Sequence, residues 1–341
     1  MELIEVLVIK ISTGRVYMSN ILINDNLTFC KWLNIWIDEY SIKKLKNGTV
    51  NNYKIYIKRH IEPFFKDILI EELTAGIFNE FCNHKLFDLN SKNTISEKTL
   101  RNMYSMIHRS LDKAVVEGIL KYNPSDYVSL PKGSTKEKNI MTIEEQESIR
   151  TVLKGETLDI GILLAMDLGI RLGEILALRW KDINFEIKQI YIRNNLERNN
   201  ILQDSGRNKV EYVLSTPKTK KSKRKIPMND NIFKYLKEEY DKQKSIYGNR
   251  IDDYFVVSIN EKSFIKPSVL TGHFKKVLKE AQVRNMTFHT TRHTFATNAI
   301  SKGISPNIVR DILGHSSTSI TLDIYSHSNQ ELKIQAIDKM M

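Results

Sequence analysis

The chain has 341 residues, a length that suits two domains, and its 41% hydrophobic and 27% charged content is that of an ordinary water-soluble globular protein. A formal net charge of +12 and an isoelectric point near 9.4 favour a polyanionic partner such as nucleic acid. Cys30 and Cys82 have no histidine at ligand spacing, which argues against a disulfide framework or a zinc site. Residues 1–5 lack the basic start of a secretory signal, and the longest apolar run, 160–170, is too short to span a bilayer. A cytoplasmic protein without a membrane partner is expected.

Residues 1–25 mix Val, Ile and Tyr with Gly14, which suits a few short strands of unassigned role. From 27 to 125 the pattern is helical. Phe29, Trp32, Leu33, Trp36, Ile37 and Tyr40 recur at i, i+3, i+4, i+7, i+8 and i+11, one apolar stripe. Asn47-Gly48 reads as a break and Thr49 as the cap of a second helix carrying Val50, Tyr53, Ile57 and Ile61 up to Pro63. Thr74 precedes a third helix with Ile77, Phe78 and Phe81. A fourth runs from about Ser96 through Leu100, Met103, Tyr104, Ile107 and Leu111 and stops before Asn123-Pro124. Together they predict an all-α four-helix domain. Its polar faces carry Lys43, Lys44, Lys46, Lys54, Lys58, Arg59, Lys98, Arg101 and Arg109. Singly these are solvated charges; together they suit a phosphate-contacting face, with Lys43, Lys54, Lys58 and Arg101 as the expected contacts.

Residues 126–138, polar and apolar-poor around Pro131, read as a linker. The remainder, 139–341, predicts a mostly α domain with a small antiparallel sheet, so the chain as a whole is mainly α. Thr142-Ile-Glu-Glu145 matches a capping box. A helix over about 158–168 follows, then strands at 189–192, 210–213 and 224–227, a helix with Ile232, Phe233, Leu236 and Tyr240, and another short strand at 254–257. From 268 the pattern is helical, with Ser305-Pro306 as N-cap and first turn and Gly314 as a terminator.

Several residues could do chemistry. Arg171 and Glu174 stand three apart in apolar surroundings and suit either a buried salt bridge or an arginine aimed at a phosphate and held by the glutamate. His289 and Arg292 repeat that spacing, and two separate arginines on one phosphate would neutralise the charge of a pentacoordinate transition state. Six of the eight residues from 218 to 225 are basic, between two strand-like segments, as at a hairpin tip. One of these lysines, Lys218 with Lys220 as its rival, could protonate a leaving 5′ oxygen. Lys220, Lys221, Lys223 and Arg224 are the expected DNA contacts of this stretch. Tyr325 is one of fourteen tyrosines, and its hydroxyl needs positive surroundings or a base to attack at neutral pH. His315 and the arginines could supply them.

In this order the residues resemble the catalytic set of the tyrosine recombinases, or phage integrases. Gly-Ile-Arg171-Leu-Gly-Glu174 looks like the first arginine box, and Thr216-Pro-Lys218-Thr-Lys like the lysine of the family's β-hairpin. His289-Thr-Thr-Arg292 looks like the His-x-x-Arg box, and Leu-Gly-His315 with Ile-Tyr325-Ser-His like the closing box. The resemblance implies a helical core-binding domain over 27–125 and a catalytic domain over 139–341. It implies a transesterification that needs neither metal nor ATP, in which Tyr325 takes a 3′ phosphate and a 5′ hydroxyl later displaces it. The sequence has no phosphate-cradling Gly-rich loop of the nucleotide-hydrolase type and no obvious carboxylate cluster. The implied partners are double-stranded DNA, four copies of the chain on paired sites, with the apolar C-terminal helix docked in its own or a neighbouring subunit, and accessory DNA-bending or directionality proteins. Residues 1–25 are shorter than the arm-binding domain of larger integrases. Two rival readings share the fold: a catalytically silent architectural DNA-binding protein and a type IB topoisomerase-like relaxase.

Overall fold

The chain divides into two compact units, Met1–Thr135 with Asn199–Glu211, and Lys136–Arg198 with Tyr212–Met341. The structure, a computed structural model, describes residues 26–42, 44–87, 94–130, 140–202, 208–215, 223–259 and 263–314. The strands expected in 1–25, the cations Lys43, Lys218, Lys220 and Lys221, the pair His315 and Tyr325, and the C-terminal helix all lie outside the described residues.

In the first unit, α1 (Phe29–Trp36) is capped by Thr28, whose side chain accepts from the Lys31 N–H, and runs on as a wider turn over Ile37–Ser41. The second helix departs from its expected start. α2 (Asn47–Tyr56) begins at Asn47 with Lys46 as N-cap, and the Thr49 N–H donates to the Lys46 carbonyl at 2.8 Å. Asn47 and Gly48 fit there because first-turn N–H groups need no partner within the helix. The chain continues through a π turn, Ile57–Ile61, into α3 (Glu62–Phe65), where Pro63 occupies the first turn. α4 (Ala75–Phe87) and α5 (Glu97–Val116) complete the unit, with Thr74 and Ser96 as caps. The stripe of α1 buries Phe29, Trp32, Leu33 and Ile37 completely, against Phe65, Phe78 and Phe81. Phe29 meets Phe65 edge-on at 4.9 Å, and the Trp32 indole N–H donates to the Ser110 carbonyl at 3.0 Å. Both cysteines sit in this core, and burial pushes each thiol up to about 11, so they are packing residues.

The second unit is built on α7 (Thr157–Leu168), which is mostly apolar and buried along most of its length, and therefore central. α6 (Ile143–Val152) opens with the expected Thr142–Glu145 capping box. Around α7 pack α8 (Leu172–Leu176), α9 (Asp230–Tyr247), α10 (Pro267–Glu280) and α11 (His289–Ser301). α12 (Pro306–Leu313) lies against α11 and ends at Gly314 in the left-handed conformation, as the sequence indicated.

The strands correct two expectations. β1 (Ile183–Asn184), β2 (Gln189–Ile192) and β5 (Arg224–Pro227) form one antiparallel sheet, with Ile190 opposite Ile226 and Ile192 opposite Arg224. β3 (Asn195–Leu202) and β4 (Asn208–Ser215) pair in another. The basic stretch after β4 therefore joins two sheets and is not the tip of a hairpin between neighbouring strands. Residues 254–257 form no strand; Phe255 makes a single antiparallel bridge with Arg179, and all four side chains are buried. Their apolar run reflects burial on all sides rather than a ladder.

Candidate active site

The site begins at the end of α7. Gly169 is left-handed, φ 63°, which turns the chain so that Ile170 enters the core and Arg171 becomes the N-cap of α8. A Cβ at Gly169 would lie 2.6 Å from a Leu313 methyl and 2.7 Å from the Phe295 ring, so α11 and α12 close directly over this turn. Within α8 the Glu174 carboxylate sits one turn beyond Arg171 and is 3% exposed.

Four hydrogen bonds hold that carboxylate. Oε1 accepts from Arg171 Nη1 at 2.8 Å and Arg224 Nη1 at 3.0 Å; Oε2 accepts from the Arg171 backbone N–H at 3.0 Å and Arg224 Nη2 at 2.8 Å. Burial alone would raise the Glu174 pKa, but the Arg224 hydrogen bonds and the charges of Arg224 and Arg171 outweigh it and hold the group below its ordinary value. Of the two readings of Arg171-x-x-Glu174, the contacts show the salt bridge; Arg171 leaves a third of its side chain exposed.

Arg171 Nη2 donates to the Gly314 carbonyl at 3.0 Å. Arg292, one turn into α11 and 3% exposed, donates to the neighbouring Leu313 carbonyl at 2.7 Å and to the Gly169 carbonyl at 2.7 Å. Two arginines from separate helices are thereby fixed on consecutive carbonyls at the end of α12. Burial first, and then the charge of Arg171, press the Arg292 pKa well below its usual value. A guanidinium nevertheless stays protonated. His289 opens α11 and is exposed. The surrounding protein weakens its hydration, and Arg292 and Arg171 oppose a further positive charge, so its pKa lies below 6.5. Its ring meets that of His293 edge-on at 4.6 Å.

The described residues of the candidate set therefore lie close together: Arg171 and Arg292 bond the carbonyls at the end of α12, Glu174 braces Arg171, and His289 feels the charge of both arginines. Of the expected DNA contacts, Lys54 pairs with Asp38 at 3.4 Å, Lys58 with Glu62 at 3.1 Å and Arg101 with Glu97 at 3.6 Å, all on the surface. Such exposed pairs contribute at most about 1 kcal/mol each. Lys223 is exposed. Arg224 has a different place from its neighbours: its side chain is 5% exposed and turned inward onto Glu174 and the Ile312 carbonyl. Strand alternation carried that signal, because Arg224 shares a face of β5 with buried Ile226 while Lys225 and Pro227 face out. One group among the described residues has metal-ligand proximity: His108, Asp112 and Asp126, in the first unit. His108 bonds both carboxylates, at 3.1 and 2.9 Å.

These features coincide with matches to known proteins. Residues 134–331 match the phage integrase family, and residues 28–86 match the phage integrase N-terminal SAM-like domain. The chain belongs to the phage integrase family, the tyrosine recombinases. It is 28% identical to a tyrosine recombinase XerC-like protein of Caldanaerobacter subterraneus subsp. tengcongensis, over 92% of this chain and 83% of that protein. It is 25% identical to the ICEBs1 integrase of Bacillus subtilis, over 86% of this chain and 78% of that protein. Its fold is similar to that of the Tn1549 transposon integrase solved with a circular intermediate DNA, with a TM-score of 0.73, 22% identity, and coverage of 92% of this chain and 100% of that one. It is also similar to a lambda integrase tetramer bound to a Holliday junction, with a TM-score of 0.62, 19% identity, and coverage of 87% and 80%.

Proposed function

We propose that this phage integrase is a site-specific DNA recombinase that breaks and rejoins strands through a 3′-phosphotyrosine link on Tyr325, with neither metal nor ATP in the chemistry. One observation supports the reading most: Arg171 and Arg292, from separate helices, are anchored on the adjacent carbonyls of Gly314 and Leu313, with His289 at the head of the same helix as Arg292. Each arginine uses part of its donor set on protein carbonyls and keeps N–H groups for two phosphate oxygens.

The scissile phosphodiester would occupy the space these groups surround. The Tyr325 oxygen attacks phosphorus, the bond to the 5′ oxygen breaks, and Lys218 gives that oxygen a proton. The arginines offset the negative charge that builds on the pentacoordinate phosphate, the part a divalent ion takes elsewhere. His289, neutral at pH 7, accepts or shares the tyrosine proton together with His315. A 5′ hydroxyl from a second duplex reverses the step. One phosphoester replaces another, so no external energy source is needed. Double-stranded DNA is the partner, and several copies of the chain act on paired sites. The relatives named as integrases, and the fold neighbours solved with DNA, are consistent with this reading. The proposed domain division is core-binding over 27–125, a linker over 126–138 and catalysis over 139–341.

The test is incubation with a nicked duplex carrying the site the protein protects in footprinting, in the presence of a chelator. A covalent protein–DNA adduct, absent in Tyr325→Phe, supports the proposal. Footprinting without any adduct supports the silent architectural protein, and relaxation of supercoiled plasmid lacking the site supports the relaxase.

A further inference from the structure

The end of α12 does more than hold the two phosphate-facing arginines. Three consecutive carbonyls, Ile312, Leu313 and Gly314, each accept from a different arginine: Arg224 through Nε, Arg292 through Nη2 and Arg171 through Nη2. The last carbonyls of a helix have no partners within it and carry its negative end, so three guanidiniums here offset charge as well as completing hydrogen bonds. Two of the three belong to the phosphate site proposed above. The third has no part in it.

Arg224 differs from the other two in gripping both oxygens of a carboxylate while its Nε donates to the Ile312 carbonyl. Its side chain is 5% exposed, and its two terminal nitrogens grip both oxygens of Glu174 at 3.0 and 2.8 Å. It also packs on the turn itself, since a Cβ at Gly314 would lie 3.1 Å from Arg224 Cδ. We infer that Arg224 is a positioning residue for strand cleavage, tying the end of α12 to Glu174 and thereby orienting the guanidinium of Arg171. The inference rests on the recombinase reading of Arg171, Arg292 and Tyr325.

The physical reason is rotation. A carboxylate held by one guanidinium and one backbone N–H on its own helix can turn about its terminal bond. A second guanidinium gripping both oxygens stops that rotation and fixes where Arg171 points. Removing Arg224 leaves two of the four bonds to a buried carboxylate unmade and frees the Ile312 carbonyl. The chain leaves this point for His315, so the same arginine sets where the closing motif departs. Lysine cannot substitute, because one ammonium cannot present a planar fork to the carboxylate and also reach the carbonyl.

The experiment compares wild-type full-length protein with Arg224→Ala, Arg224→Gln and Arg224→Lys on the nicked duplex. Single-turnover cleavage is followed at saturating DNA, alongside affinity over a salt series and the folded fraction. The cleavage rate constant in Arg224→Ala should fall about 100-fold, as for a displaced reacting group. The slope of log affinity against log salt should stay unchanged, and Arg224→Lys should recover little. The rate constant of the folded fraction is the deciding quantity, since mere loss of structure lowers the amplitude and leaves that constant alone. If Arg224→Ala does not fold, Arg224→Gln, which retains an amide donor for Glu174, carries the comparison. A salt slope reduced by about one with cleavage at the wild-type rate would make Arg224 a direct phosphate contact and overturn the inference. A wild-type protein that forms no adduct overturns the recombinase reading, and this inference with it.

Discussion

Arg171 and Arg292 differ in what surrounds them, one a third exposed and braced by Glu174, the other 3% exposed and, among the described residues, held by two carbonyls. Both act on the transition state in this account, so Arg171→Ala and Arg292→Ala should each lower cleavage by about 100-fold or more while leaving much of the DNA affinity. Parallel cleavage and anisotropy measurements check this; equal losses would place both arginines in the general phosphate-contacting surface. His289 adds a pH dependence. The folded protein holds its proton more weakly than the unfolded chain, so its contribution to stability is full above 6.5 and declines as pH falls through that value toward the lowered midpoint. An NMR titration should give a midpoint below 6.5 that rises in Arg171→Ala, where one opposing charge is gone; a midpoint at or above 6.5 in the wild type would contradict it. The spacings Arg171-x-x-Glu174 and His289-x-x-Arg292 were legible in the sequence because helical periodicity fixes such pairs. The inward turn of Arg224 was recorded only in its strand alternation with Ile226, a signal its basic neighbours obscured by making it look like one more solvated charge.

The junction between α7 and α8 sets the whole arrangement, and its geometry depends on Gly169. With φ at 63° and no room for a Cβ beside Leu313 and Phe295, Gly169→Ala should destabilise the protein by more than about 1–2 kcal/mol, the left-handed cost alone. Urea denaturation measures this, and an unchanged midpoint would mean that the α11–α12 cover yields. Helices were the readable part of the sequence. The Phe29-to-Tyr40 stripe, the Thr142 capping box and the Gly314 terminator each encode a local preference that packing reinforces. Strand partnership was not readable. β4 and β5 are adjacent in sequence yet lie in different sheets, and residues 254–257 look strand-like only because they are buried. Which strand pairs with which depends on contacts distant in the chain, and no local pattern records them. The start of α2 was misplaced for a milder reason: Asn and Gly, strong turn residues elsewhere, are tolerated in a helix's first turn.

A net charge of +12, with basic residues on the helices of the first unit and in the stretch from 218 to 225, implies that phosphate contacts dominate affinity. Binding to the cognate duplex should weaken at least about tenfold between ~50 and ~200 mM salt, measured by fluorescence anisotropy; a flat response would remove the electrostatic footprint. Among the described residues no helix is long and apolar enough to cross a membrane. The proposed chemistry reduces to the identity of a single covalent bond. Trapping the reaction on a nicked duplex, digesting the protein and mapping the modified peptide by mass spectrometry identifies it directly. The expected product is a nucleotide joined through its 3′ phosphate to Tyr325, with a free 5′ hydroxyl on the released strand. A nucleotide on any other residue, or cleavage that yields hydrolysed ends and requires a divalent ion, would contradict it.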